Sequence, residues 1–180
     1  MSAFTRDEEE KCGLDWTILR DGGIALYRQS SYLAEDVRWF REHQFLIHSF
    51  DCKSWISERE MHDDLSRKLS FPDYYGMNWN ALNDCLREDL IVRDDGGTVL
   101  LFDGFDSYAK GAGAGLMSSG RSEAETLLDI VARASRQFSL TGRRLIVLIR
   151  SDDPRMYFEG PGGISAIWNR REWLNSDRGL

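Results

Sequence analysis

"FPDYYGMNWNALNDCL", residues 71 to 86, places two adjacent tyrosines and a glycine directly before a short helical pattern. Asn78 is a suitable N-cap for that helix, since its side-chain oxygen can accept from the first free backbone N–H groups. Beyond it, Ala81, Leu82, Cys85 and Leu86 share one side and are expected to face a core. Asn80, Asn83, Asp84 and Arg87 fall at i, i+3, i+4 and i+7, which makes one outward stripe. Most polar stripes are solvated helix faces. Two features argue for more here. Asparagine is a poor helix former, yet two follow the cap. Rigid aromatic rings beside hydrogen-bonding groups are also the usual composition of a protein-recognition patch.

Working outward, "WISEREMHDDLSRKLSFP" precedes this stretch. Ser57 and Glu60 have the spacing of a capping box, and Ile56 and Met61 that of a hydrophobic staple. Met61, Leu65 and Leu69 form the apolar stripe, and Pro72 stops the pattern. Before that helix, "QFLIHSF" reads as a buried strand. After the opening stretch, "TVLLF" (98 to 102) is a strand, residues 104 to 121 read as loop, and a second capping box at Ser122 and Glu125 opens a helix. Leu127, Leu128, Val131, Ala134 and Phe138 line its inner side. "LIVLIR" (145 to 150) is a further strand. Strands joined through helices argue for an α/β fold with a small parallel β-sheet packed by helices. Nearer the start, "DWTILRDGGIALYR" reads as two strands around Asp21-Gly22, a hairpin pattern. "SSYLAEDVRWFREHQ" follows as a helix with Leu33, Val37 and Phe40 inward. Residues 1 to 13 read as a polar, acidic tail, and "FEGPGGISAIW" near the end as a second hairpin.

The 180 residues, 42% hydrophobic and 29% charged, suit a packed domain with additions at its ends. The formal net charge of −7 disfavours a general nucleic-acid binder and suits a basic partner. No stretch approaches the roughly 18 apolar residues of a membrane span, and the N-terminus has no apolar signal segment. The three cysteines, Cys12, Cys52 and Cys85, fit neither a disulfide framework nor a zinc site, so a reducing cytoplasm is the expected address.

Catalytic chemistry finds little support. Asp103 ends a strand, as the nucleophile of magnesium-dependent phosphohydrolases does, but the second carboxylate those enzymes need two residues later is Phe105 here. His43, His48 and His62 show no metal spacing, and "KGAGAGLMSSG" lacks the Lys-Ser/Thr of a phosphate loop. No catalytic residue, metal or cofactor is expected.

The opening stretch resembles the barstar family, intracellular inhibitors of barnase-type ribonucleases. The residues that carry the likeness are Pro72, Asp73, Tyr74, Tyr75, Gly76, Asn78, Ala81, Leu82, Asp84, Cys85 and Leu86. The surrounding element order agrees over roughly residues 45 to 150, with 1–44 as an N-terminal extension of tail, hairpin and helix, and 151–180 as a C-terminal extension packed on the same domain. The resemblance implies a partner-binding face in which Asp84 enters the ribonuclease's phosphate pocket, Tyr74 and Gly76 line the interface, and Asn78 and Asn80 stand near it. Asn83 and Arg87 belong to the same stripe. Tyr75 is expected beneath the loop as a structural ring. The partner implied is a basic ribonuclease or related toxin, with no nucleic acid and no membrane. Three positions depart from the family pattern. Asn80 replaces an aspartate, Asn83 replaces an exposed tryptophan, and Arg133 falls near an acidic contact. The alternative reading is a barstar-like module for a non-ribonuclease partner.

Overall fold

The computed structural model describes residues 13–163 and 166–180; of the expected acidic tail, residues 1 to 13, the first twelve lie outside them. In chain order the elements are α1 (Leu14–Arg20), β1 (Ile24–Tyr27), α2 (Ser30–Glu42), β2 (Phe45–Asp51), α3 (Glu58–Leu69), α4 (Trp79–Glu88), β3 (Gly97–Asp103), α5 (Phe105–Lys110), α6 (Glu123–Leu140), β4 (Leu145–Arg150) and β5 (Ile167–Trp168). The five strands form one parallel sheet in the order β2-β3-β4-β1-β5. The expected α/β architecture is therefore present.

Alternation along the strands sends side chains to two faces. Phe50, Leu100, Phe102, Val147, Ile149, Ile24 and Leu26 pack with the inner stripes of α3, α4, α5 and α6. Ala25, Tyr27, Phe45, Val99, Ile146 and Leu148 pack with Ile18 of α1 and Leu33, Val37 and Phe40 of α2. The segment before residue 45 thus supplies both a strand within the sheet and the whole helical cover of its second face.

The expected N-terminal hairpin is not formed. Residues 14 to 20 are helical, and Asp21-Gly22-Gly23 ends that helix instead of turning a hairpin. Gly23 N–H reaches Ile18 O at 2.8 Å and Gly22 N–H reaches Leu19 O at 3.2 Å, with Gly22 and Gly23 at φ 113° and 81°. Glycines with positive φ serve a helix C-terminus as well as a tight turn. Burial of Ile18, with Leu14 packed beside it on the second face, favours the helix. The second hairpin is also absent among the described residues, because Ile167–Trp168 pairs in parallel with β1. The expected loop at 104 to 121 contains α5, whose Phe105 and Tyr108 are fully buried.

Both capping predictions hold in outline. Ser122 and Glu125 make the reciprocal box at the start of α6. At α3, Ser57 Oγ accepts from Glu60 N–H, while the Glu60 carboxylate accepts from Ile56 N–H. The staple does not form as expected: Met61 is buried, but Ile56 remains 77% exposed. "QFLIHSF" is a strand, but it lies at the sheet edge and only Phe45 and Phe50 are buried.

The C-terminal segment is tied to the strand ends. Asn169 N–H and its side-chain amide both donate to Leu26 O. The fully buried Glu172 carboxylate accepts from Arg28 N–H at 3.0 Å and Gln29 N–H at 2.9 Å. Arg178 donates to the carbonyls of Pro154, Glu172 and Trp173 and to the side chain of Asn175.

Candidate functional site

The loop between α3 and α4 splits its two tyrosines. Tyr75 N–H bonds Pro72 O at 2.9 Å, which turns the chain. Tyr75 then points inward, 8% exposed, with its ring 5.0 Å from Phe71 and its hydroxyl hydrogen-bonded to Nδ1 of buried His62. Tyr74 points outward, 75% exposed, and its hydroxyl donates to both oxygens of Asp89, at 3.1 and 3.2 Å. That bond holds the Tyr74 phenol proton more tightly than usual. The ring is thereby steadied against the C-terminal end of α4 while its face stays open. Tyr75 is the ring beneath the loop, as expected.

Asn78 caps α4 as its position implies. Its side-chain oxygen accepts from Ala81 N–H at 3.0 Å, and its amide donates to Gly76 O at 3.1 Å. The side chain is thus spent on shaping the loop. A Cβ on Gly76 would meet that amide nitrogen at 2.9 Å, so the tight cap favours glycine there.

On α4, Leu82, Cys85 and Leu86 are buried and Ala81 is half-buried. Burial, then the nearby Asp89, pushes the Cys85 thiol up to about 11, so it stays protonated at neutral pH. Asn80, Asp84 and Arg87 are exposed and Asn83 is half-buried, so the outward stripe is formed. Its members are not equivalent. Asn83 donates its amide to Asp84 Oδ1 at 3.2 Å. Asp84 meets no cation among the described residues. Arg87 reaches across to α6, where its Nε donates to Gln137 Oε1 at 2.5 Å. Arg133, on the same helix, pairs with Asp129 at 2.8 Å.

Two participants were missed in the sequence. His62 lies beneath the loop, touching Tyr75 and standing 5.3 Å from the ring of Trp79. Its spacing with Leu65 and Leu69 on α3 already marked it as inward-facing. Burial lowers its proton affinity, and the Glu58 carboxylate 3.4 Å from Nε2 offsets part of that. Gln137 carried no local signal, because its role depends on α4 packing against α6.

Elsewhere, Asp103 is held by Arg150 at 3.1 Å, and Asp106 accepts from Asp152 N–H. Among the described residues, no three or more His, Cys, Asp or Glu side chains are grouped to hold a metal ion, and no helix is long and apolar enough to cross a membrane.

Comparison with known proteins adds the family. A protein of Bacillus subtilis (strain 168) named "Putative ribonuclease inhibitor YrdF" is 69% identical over 36 residues, which is 20% of this chain and 40% of that protein. A chain in a solved structure titled "Structure of Drosophila ORC bound to AT-rich DNA and Cdc6" aligns at 15% identity and a TM-score of 0.46, over 82% of this chain and 47% of that one. So low a likeness carries no argument. The pattern of the family described as "Barstar (barnase inhibitor)" matches residues 45–150, more than half of the chain. The match takes in the sheet strands β2, β3 and β4, the Tyr74–Asn78 loop and the helix that displays Asp84, and over these residues the chain belongs to the barstar family.

Proposed function

We infer that this protein is an intracellular inhibitor, an antitoxin or immunity protein, that binds a barnase-like ribonuclease toxin and occludes its active site. The observation that carries the reading is Asp84, an exposed carboxylate on the helix that follows the Tyr74 loop, with the Asn83 amide as its only polar partner among the described residues. A pocket built for phosphate presents converging cationic donors, and a carboxylate satisfies them with short charge-assisted hydrogen bonds. Such an inhibitor acts stoichiometrically, with no reaction of its own. The pre-shaped loop keeps the ordering cost of binding small.

A second reading, a barstar-like module retargeted to a non-ribonuclease partner, is favoured by the amides at Asn80 and Asn83 and by Arg133. One experiment separates the two. Immobilised wild-type chain is exposed to lysate and secreted protein from its source, with Asp84→Lys as control. Retained protein is eluted, separated from the inhibitor, and assayed for RNA cleavage. Ribonuclease activity captured only by wild type, and suppressed by added free inhibitor, is the expected result. Asp84-dependent capture of a protein without ribonuclease activity would support the retargeted module. Equal capture by both chains would move the site off α4.

A further inference from the structure

The chain is acidic overall, yet the ridge beside Asp84 is not. α4 packs against α6, and both helices lead into neighbouring parallel strands, so they run in the same direction. The Arg87–Gln137 bond sets their relative level. One turn back along each helix, Asp84 stands level with Arg133. The outward residues of α6 are then Arg133 and Arg136, both exposed, with Gln137 between them and α4.

Neither charge is fully answered among the described residues. The Asp129 carboxylate that pairs with Arg133 at 2.8 Å also pairs with Arg121 at 2.6 Å and accepts from Gly162 N–H at 2.7 Å. Arg136 makes no ion pair or hydrogen bond among the described residues. On α4, Asp84 is followed one turn on by the exposed Arg87 and Glu88, with Asp89 at the helix end beneath Tyr74, and the helix packed against it carries the exposed Arg133 and Arg136. A partner covering this face must offer cationic groups to Asp84 and anionic groups, only one turn of helix away, to α6. A uniformly basic rim would bring like charges together in a closing, drying interface, and repulsion of that kind is how related partners are told apart.

We propose that Arg133 and Arg136 determine specificity. They select a ribonuclease whose phosphate pocket is cationic but whose rim opposite α6 is acidic, and they reject one whose rim is basic there. The proposal rests on the inhibitor reading and refines it.

The probe is barnase, for which the family likeness implies a basic rim, since the family places an acidic contact at this part of α6. The full chain is compared with the double variant Arg133→Gln, Arg136→Glu. Glutamine at 133 avoids a second carboxylate beside Asp129. Both side chains are exposed, and melting curves verify that the variant folds. The double variant is expected to bind barnase at least about tenfold more tightly than wild type, chiefly through faster association, with the gain shrinking at high salt. Adding Asp84→Ala should abolish the gain. Equal affinities would overturn the proposal and leave the arginines as a solvated face. A gain that survives Asp84→Ala would overturn it too, by placing the contact elsewhere. So would failure of both chains to bind, because removing the repulsion would have uncovered no barnase-competent face. The inhibitor reading is judged separately, by the capture experiment.

Discussion

Asp84 is exposed on α4 and His62 is buried against Tyr75 of the loop before it, and the two obey opposite logic. Asp84 is exposed and contributes little to the fold, so Asp84→Ala should abolish partner binding while changing unfolding stability by less than about 1 kcal/mol. Chemical denaturation of both chains, alongside a binding titration, checks this; a collapse of the fold would make Asp84 structural. His62 is buried, and its proton affinity is lowered, mainly by desolvation. The unfolded chain takes up that proton near pH 6.5, and the folded chain only at lower pH. Stability contributed by neutral His62 is therefore fully present above about pH 6.5 and is lost as pH falls toward and through the folded value. Unfolding free energies measured from pH 7.5 downward should decline in that window, and the decline should flatten in His62→Gln. An unchanged pH profile in the variant would assign the effect to other groups. The sequence marked Asp84 because its neighbours carry a readable pattern. It gave His62 no role, since that role is set by Tyr75 and Trp79, which come from a different element.

At the scale of elements, α4 is held by its cap and by one strong apolar side. Asn78→Ala removes the bond to Ala81 N–H and the tie to Gly76 O, at an expected cost of about 1 kcal/mol. Since the same side chain shapes the loop, partner dissociation should quicken as well. Stopped-flow unfolding and dissociation rates measured on one variant test both halves. Asn78→Asp, which keeps the accepting oxygen but not the donating nitrogen, should restore stability better than binding. The capping boxes of α3 and α6 were legible because they depend on residues three apart. α1 was misread because Asp-Gly-Gly can end a helix or turn a hairpin, and the choice was made by where Ile18 could be buried.

At the scale of the molecule, the segments outside the family match complete a sandwich. Without α1, β1 and α2, the apolar face made by Phe45, Val99, Ile146 and Leu148 would meet water. The fragment 45–150 alone is therefore expected to lack a cooperative melt and to bind hydrophobic dyes, whereas the whole chain should melt in one transition. A stably folded fragment would show that the second layer is dispensable. The C-terminal segment is fastened by Glu172, whose carboxylate accepts from the N–H groups of Arg28 and Gln29. Glu172→Ala should cost about 1–3 kcal/mol, the range for stranding buried hydrogen-bonding groups. Thermal unfolding would register this, and a neutral substitution would mean that water replaces the carboxylate.

The sequence by itself determined the α/β class, the two capped helices and the Tyr-Tyr-Gly stretch with its outward stripe. Each is written in spacings of two, three or four residues, and local backbone geometry enforces those spacings wherever the chain folds. Tertiary structure alone decided that β1 lies between β4 and β5, that Glu172 closes the end of that strand, and that Arg87 meets Gln137 fifty residues away. Those contacts join positions with no periodic relation along the chain. They exist because apolar faces on separate segments had to be covered and buried N–H groups needed acceptors, conditions that arise only once the sheet has assembled.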